Sequence, residues 1–349
     1  MSAPLGLAKP TVNDIARVAG VSLATVDRVI NDRPGVRQKT IAKVRSAIDE
    51  LGYVRDTAAA NLARRRVYDF VFLLPENDNE FVRALSMQVT SQDDARVHDR
   101  TRLRVEPVIP FDPQDLVRCL DGLDASTTDG AAVFGPETPA VRDAVRRARE
   151  RGIAVVALVS DLPSSQRAHF VGIDNVSAGR TAARLMGRFV RGRGRILVIT
   201  GSRLARDHLE RRHGFDAVMR EEFPDLDVVA SVEGRDDPAL VRSLLPAVFE
   251  SYPDLRGVYA SAAGNGGLID FLRLHPIARD LVVIAHELTA TSRSALADGT
   301  FDAVISQDTG HLVRSAVRLM RASADAAPFN PAQERIRIDI YLKDNVPPE

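Results

Sequence analysis

Residues 20–32 read GVSLATVDRVIND. Ser22 can cap a helix running from Leu23 to Ile30, in which Val26, Val29 and Ile30 fall on one face. Upstream, Thr11 followed by Asp14 gives a capping-box-like start to a first helix, where Ile15, Val18 and Ala19 recur at helical spacing until Gly20 ends it. Downstream, Asn31, Asp32, Pro34 and Gly35 break the second helix. A third amphipathic helix is expected from about Gln38 to Glu50, using Ile41, Val44, Ile48 and Leu51 before Gly52 stops it. Three short helices around a tight turn make a small all-α helix-turn-helix head. If its second helix meets a polyanion, Asp27 beside Arg28 needs an explanation.

Charge points to such a partner. The chain of 349 residues has a formal net charge of zero, but residues 1–66 hold 12 Lys plus Arg against 6 Asp plus Glu, and the rest is acidic by the same margin. A small basic end on a mildly acidic body suits nucleic acid. Apolar residues make up 45% and charged residues 27%, the balance of a globular protein long enough for two or three compact units. A single cysteine, Cys119, precludes an intramolecular disulfide and suggests no Cys-rich zinc site. No signal peptide or membrane-length apolar run is evident, so a cytoplasmic protein without a membrane partner is expected.

From Val67 onward the pattern becomes short β-branched strands alternating with helices: DFVFLL, RLRVEPV, GAAVFG, IAVVALV, HFVGI, RILVIT, DVVASV, GVYAS, LVVIAH and AVIS. Such alternation implies right-handed crossovers, and this many strands are better housed in two parallel doubly wound sheets than in one. The fold class expected is therefore the helical head plus an α/β two-lobed body. Ligands in this architecture bind beyond the carboxyl ends of the strands, which directs attention to the turns there.

The whole stretch PTVNDIARVAGVSLATVDRVINDRPGVRQKTIAKVRSAIDELGYVRDTAAANLARRR, at 10–66, resembles the DNA-binding head and hinge of the lactose-repressor family of bacterial regulators. The body is similar to sugar-binding periplasmic proteins of the ribose-binding type. The resemblance implies a head at 1–55, a hinge helix at 56–66 and an effector-binding and dimerisation domain at 67–349. Its first lobe would comprise about 67–173 plus 307–330, and its second about 174–306 plus 331–349. It also implies that the second helix lies in the major groove, with Leu23, Ala24 and Arg28 at base-contacting positions; an arginine there can pair with guanine O6 and N7. Thr11, Arg17, Ser22, Thr25, Asn31 and Lys39 would lie near phosphates. Many relatives carry serine in place of Asp27. Its carboxylate either turns from the phosphate and pairs with an arginine such as Arg17, or accepts from a cytosine amine.

The alanine-rich hinge favours helix yet is too short to be stable alone, so it is expected to order only with support. The resemblance supplies that support in a homodimer on a pseudopalindromic operator, where Leu62, flanked by Ala59 and Ala63, wedges into the minor groove. The alternative for Leu62 is an ordinary core leucine.

In the body, the turns after the strands and the resemblance select the same residues as ligand contacts: Asn79 and Phe81 in PENDNEF, Asp161, Arg211 in ERRHGF, Asn265 in SAAGNGG, Glu287 in AHEL and Gln307 in ISQD. Phe81 can equally be core, and Asp174 and Asn175 can cap a helix or touch ligand. Asn265 and Glu287 depart from the aspartates usual in relatives. Carboxylates, amides, one arginine and an aromatic face suit a neutral polyhydroxy molecule, a sugar or cyclitol, because each hydroxyl both donates and accepts. Such an effector would control operator affinity, most often as relief of repression; a co-repressor such as a nucleobase is the alternative. A transporter's solute-binding protein is the reading from another class, against which the basic head argues. No GxSxG elbow, P-loop or HExxH occurs, so neither an enzyme nor a metal or other cofactor is expected. His286, beside Glu287, is read as a packing or sugar-bonding group.

Overall fold

A computed structural model describes residues 10–30, 33–53, 66–96, 100–275 and 280–348. Asn31, Ala59, Leu62 and Ala63 lie outside the described residues. The chain divides into two compact units, Met1–Arg66 and Val67–Glu349.

The head holds α1 (Val12–Ala19), α2 (Leu23–Ile30) and α3 (Gln38–Leu51). The capping box at Thr11 forms as its sequence dictates: the Thr11 N–H and Oγ1 both donate to Asp14 Oδ2, at 3.0 and 2.8 Å, and Arg17 donates to Oδ1 at 2.9 Å. Those hydrogen bonds, the backbone one foremost, bring the Asp14 carboxyl down to about 2. Gly20 takes the left-handed conformation that ends α1, at φ +64°. Ile15, Ala19, Val26, Val29, Val44 and Ala47 form the core. Val18 does not join it and is 40% exposed, because helices this short bury only a narrow stripe.

In the body, β1 (Tyr68–Pro75), β2 (Thr101–Val108), β3 (Gly130–Val133), β4 (Ala154–Leu158) and β5 (His169–Val171) form one sheet in the order β2-β1-β3-β4-β5. All its pairings are parallel. Helices α4 (Glu80–Arg96), α5 (Pro113–Gly122) and α6 (Pro139–Glu150) connect them. A parallel sheet is covered on both faces, which is why β1 reads as an unbroken apolar run from Phe70 onward and is buried along most of its length. The second sheet runs β12-β11-β10-β9-β6-β7, with β8 beside β6. Its strands are β6 (Gly194–Thr200), β7 (Leu226–Val228), β8 (Val232–Glu233), β9 (Leu255–Ala260), β10 (Val282–His286), β11 (Ala303–Ser306) and β12 (Asp339–Tyr341), and β12 alone is antiparallel among the described strands. The helices of this half are α7 (Asn175–Phe189), α8 (Arg206–Glu222), α9 (Pro238–Ser251), α10 (Asn265–Leu274) and α11 (Ala290–Asp298). The chain passes from the first sheet to the second after β5 and returns after β11 as α12 (Thr309–Ala324), which packs on β3, β4 and β5.

Two features differ from the sequence reading. DVVASV is not one strand: β7 and β8 pair with opposite ends of β6, and the exposed residues Ala230 and Ser231 part them. The edge strand β12 was not foreseen.

One close approach positions the site. An added Cβ on Gly214 of α8 would lie 2.1 Å from Val176 O, and one on Gly179 of α7 would lie 1.9 Å from Arg211 O. These two glycines let the helix backbones touch, which fixes Arg211 against the start of α7.

Candidate functional site

A cavity of about 280 Å³ opens between the two sheets at the carboxyl ends of their strands. Asn79, Glu80 and Phe81 reach it from the turn after β1 and the start of α4, Val159 from the end of β4, and Asp207, His208 and Arg211 from α8. Asp236, Asn265, His286 and Glu287 complete it from the second sheet. Its size is near the lower end of ligand pockets, about 300 Å³, and suits a molecule no larger than a monosaccharide.

The backbone is bent to aim these groups. Val159, Asp236 and Glu287 have φ of +64°, +59° and +67°. For non-glycine residues, and above all for a β-branched valine, this conformation costs about 1–3 kcal/mol each, and strain of this kind collects at binding sites.

Arg211, 2% exposed, anchors the floor. It donates from Nε to Asn175 Oδ1 at 2.8 Å, from Nη1 to Ser261 O at 2.9 Å and from Nη2 to Glu287 Oε1 at 3.5 Å. Gln307 Nε2 donates to the same Glu287 oxygen at 2.9 Å. Burial pushes the Glu287 carboxyl up, against the pull of Arg211 and Gln307. Burial also holds His286 well below the ordinary histidine value; its ring stays neutral and shares a 2.8 Å hydrogen bond between Nε2 and Tyr259 Oη. His208 Nδ1 accepts the Ser202 N–H at 3.2 Å, which leaves the ring proton on Nε2, 3.5 Å from Asp207 Oδ2.

Six buried polar atoms here have no hydrogen-bond partner in the protein: Asp207 Oδ1, Asp236 Oδ1, Asn265 Oδ1, His286 Nδ1, Glu287 Oε2 and Gln307 Oε1. Buried polar groups are nearly always paired, so such a concentration marks a place where water or a polar ligand supplies the partners. Among the described residues, no group of three or more His, Cys, Asp or Glu could hold a metal ion.

The head presents a second surface. Leu23, Ala24, Asp27 and Arg28 are exposed on α2, opposite buried Val26 and Val29. Leu23, half exposed, has no packing reason to be apolar. Thr25 N–H bonds Ser22 Oγ at 3.2 Å and tidies the α2 start.

A family model described as bacterial regulatory proteins, lacI family, matches residues 11–56, and one described as periplasmic binding protein domain matches residues 70–328. Over most of its length the chain belongs to the periplasmic binding protein domain family, and its head matches the lacI family model. The Sucrose operon repressor of Vibrio alginolyticus is 52% identical over 52 residues, 15% of this chain and 55% of that protein. The HTH-type transcriptional regulator DegA of Bacillus subtilis is 25% identical over 228 residues, 65% of this chain and 66% of the relative. An ABC transporter solute binding protein from Burkholderia graminis C4D1M, solved with D-arabinose, has a TM-score of 0.71 at 22% identity, covering 80% of this chain and 96% of the other. That likeness is one of fold.

The cavity of this periplasmic binding protein domain gathers Asn79, Phe81, Arg211, Asn265 and Glu287. Phe81 is also packed in the core, so its two readings coincide. Gln307 stands behind Glu287 rather than in the lining. Asp161 is a correction. Both its oxygens are taken by Arg167, through Nε and, at 2.8 Å, through Nη2, and the Leu162 N–H adds a bond at 2.7 Å, so the carboxylate is satisfied in its own turn and does not line the cavity. Asp174 caps α7 through Ser177 N–H at 2.9 Å, whereas Asn175 ties Arg211 to Val159 O.

On the head, Arg17 pairs with Asp14 and not with Asp27. Asp27 Oδ2 instead receives Arg33 Nη1 at 3.1 Å, with both side chains about half exposed. Thr11, Arg17, Ser22 and Lys39 are exposed and Thr25 is half-buried.

Sequence reasoning missed Asp207, His208 and Asp236. Asp236 follows a strand too short to recognise, and Asp207 and His208 lie at the start of a helix and not in a turn directly after a strand.

Proposed function

We propose that this protein is a transcriptional regulator, most simply a repressor, that binds a pseudopalindromic operator as a homodimer and is controlled by a sugar or cyclitol held between its lobes. The observation that carries the reading is the cavity with five unpartnered polar atoms on its lining residues, in the same chain as a helix-turn-helix head. Hydroxyl groups suit that lining because each can donate to one protein atom and accept from another. The relative named as a sucrose operon repressor supports the same class of effector. On the head, the Arg28 side chain makes no hydrogen bond or ion pair among the described residues, so its guanidinium is available for a guanine edge. Pairing with Arg33 explains how Asp27 is tolerated near phosphate: its charge is offset within the head.

The test has two stages. Selection of duplexes from a random pool by the full-length protein should yield a sequence with two-fold symmetry, and a thermal-shift screen of pentoses, hexoses, cyclitols and nucleosides should find a stabiliser. A ligand at about 100 times its dissociation constant adds roughly 2.7 kcal/mol. The stabiliser should then weaken operator binding. No enriched duplex, or a stabiliser without effect on operator affinity, would overturn the proposal; a stabiliser that strengthens binding would make the ligand a co-repressor.

A further inference from the structure

The cavity is unevenly furnished with charge. Asp207 is 2% exposed and Glu287 7% exposed, and each has an unpartnered oxygen in the lining, as does Asp236. Against these three carboxylates stands one buried arginine, Arg211, whose donors are already directed to Asn175, Ser261 and Glu287. Asp207 and Asp236 have no Lys or Arg within ion-pair distance among the described residues. His208 lies beside them, its Nδ1 accepting the Ser202 N–H at 3.2 Å and its Nε2 3.5 Å from Asp207 Oδ2. The side-chain amide of Asn79, at 3.4 Å, is a weak donor to Asp236.

The unpartnered atoms show the same imbalance. Five of the six are oxygens that accept hydrogen bonds, and the sixth is a ring nitrogen. A hydroxyl answers an acceptor with one donor and brings acceptors of its own; an ammonium brings three donors, no acceptor and the missing charge. A buried carboxylate without a counter-charge is costly, and a cation removes that cost where a neutral hydroxyl does not. Asp207, Asp236 and His208 also border a narrow, mainly apolar recess of about 30 Å³ lined by Phe111 and Phe134.

We infer that the effector carries a protonated amine as well as hydroxyls, an amino sugar or aminocyclitol, with the ammonium held by Asp207 and Asp236. This rests on the reading of the cavity as the effector site and narrows its ligand class.

Titration calorimetry on the full-length protein with matched pairs tests it: D-glucose and D-glucosamine, D-galactose and D-galactosamine, myo-inositol and an inosamine, each amine also in its N-acetylated form. At least one amine should bind tenfold or more tightly than its hydroxyl twin, and N-acetylation should abolish the preference. Asp207→Asn and Asp236→Asn, checked by thermal unfolding to remain folded, should bring the ratio close to one. A hydroxyl twin that binds as tightly as its amine, or an amine preference unchanged in both variants, overturns the inference and leaves the cavity a sugar site. Binding by no member of either series overturns the inference together with the reading of the cavity.

Discussion

Replacing Arg211 with methionine keeps most of the side-chain volume and removes the charge, so the loss can be worked from its bonds. The guanidinium serves three acceptors, Asn175 Oδ1, Ser261 O and Glu287 Oε1, in a site where Arg211 is 2% exposed. Removing one partner of a buried ion pair costs about 3–5 kcal/mol, because the other charge stays buried. At roughly 2 °C per kcal/mol for a large domain, the body's unfolding midpoint should fall by about 6–10 °C. Glu287→Gln in the same chain removes the stranded charge, and the double variant should regain roughly 1–3 kcal/mol. The sign with pH follows from the raised Glu287 carboxyl. A folded acid whose value lies above the unfolded one, about 4.3, binds protons better when folded, so stability falls as pH rises from there through the raised value. Without Arg211 that rise is larger, and the deficit should be greater at pH 8 than at pH 5. Urea titration followed by far-UV circular dichroism at both pH values measures it. Additive single variants, or a deficit independent of pH, would refute the account of Arg211 as the counter-charge of Glu287.

Three further outcomes are expected. Gly214→Ala should destabilise the body by about 1–3 kcal/mol or more in urea titration, since its new Cβ must move from 2.1 Å off Val176 O and the helices must part. Histidine 286 is neutral in the fold and charges on unfolding, so its contribution is complete above about 6.5 and is lost as pH falls below; His286→Gln should flatten that part of the stability curve measured against the parent. Arg28→Ala should cost roughly 1–3 kcal/mol on the selected operator in fluorescence anisotropy and relax the preference at one base of each half-site, while the parent's log affinity falls with log salt at a slope near −7 if about 8 phosphates are neutralised.

Periodicity carried most of the architecture. The helix ends at Gly20 and Gly52 were legible because only a residue tolerant of positive φ ends a helix that way, and parallel strands such as β1 announce themselves as unbroken apolar runs. The edge strand β12 was also written in the sequence, as Ile336, Ile338, Ile340 and Leu342 in alternation. Where a side chain aims was not legible in the same way. Asp161 follows a strand, as a cleft residue should, but Arg167 six positions on captures it. Spacing alone cannot say which of two polar neighbours wins. Asp236 enters the cavity only because its φ is positive, and no pattern of residue types encodes that for an aspartate.

Contacts between the lobes bear on how an effector can act through this body. Glu80, at the start of α4, accepts from the Thr291 N–H at 3.2 Å and from its hydroxyl, at the N-terminal turn of α11. Burial alone would raise its carboxyl, but the hydrogen bonds from Thr289 and Thr291 outweigh it and leave it lowered. On another side of the cleft Glu137 meets Arg206 at 3.0 Å, and inside it Ser160 Oγ accepts the Asp207 N–H at 3.4 Å. Partly exposed pairs of this kind contribute at most about 1 kcal/mol each. They are opposed by three strained turns and by six polar atoms that closure hides from water. A ligand changes such a balance only through contacts that exist in one arrangement and not in the other. The unpartnered atoms all belong to the second sheet's side or the crossover, whereas Asn79 and Phe81 come from the first. A molecule that touched the former alone would bind open and closed lobes alike. Under the proposed function, bridging to Asn79 and Phe81 would turn binding into closure, and a shift from 1:99 to 99:1 would ask about 5.5 kcal/mol of such differential contact.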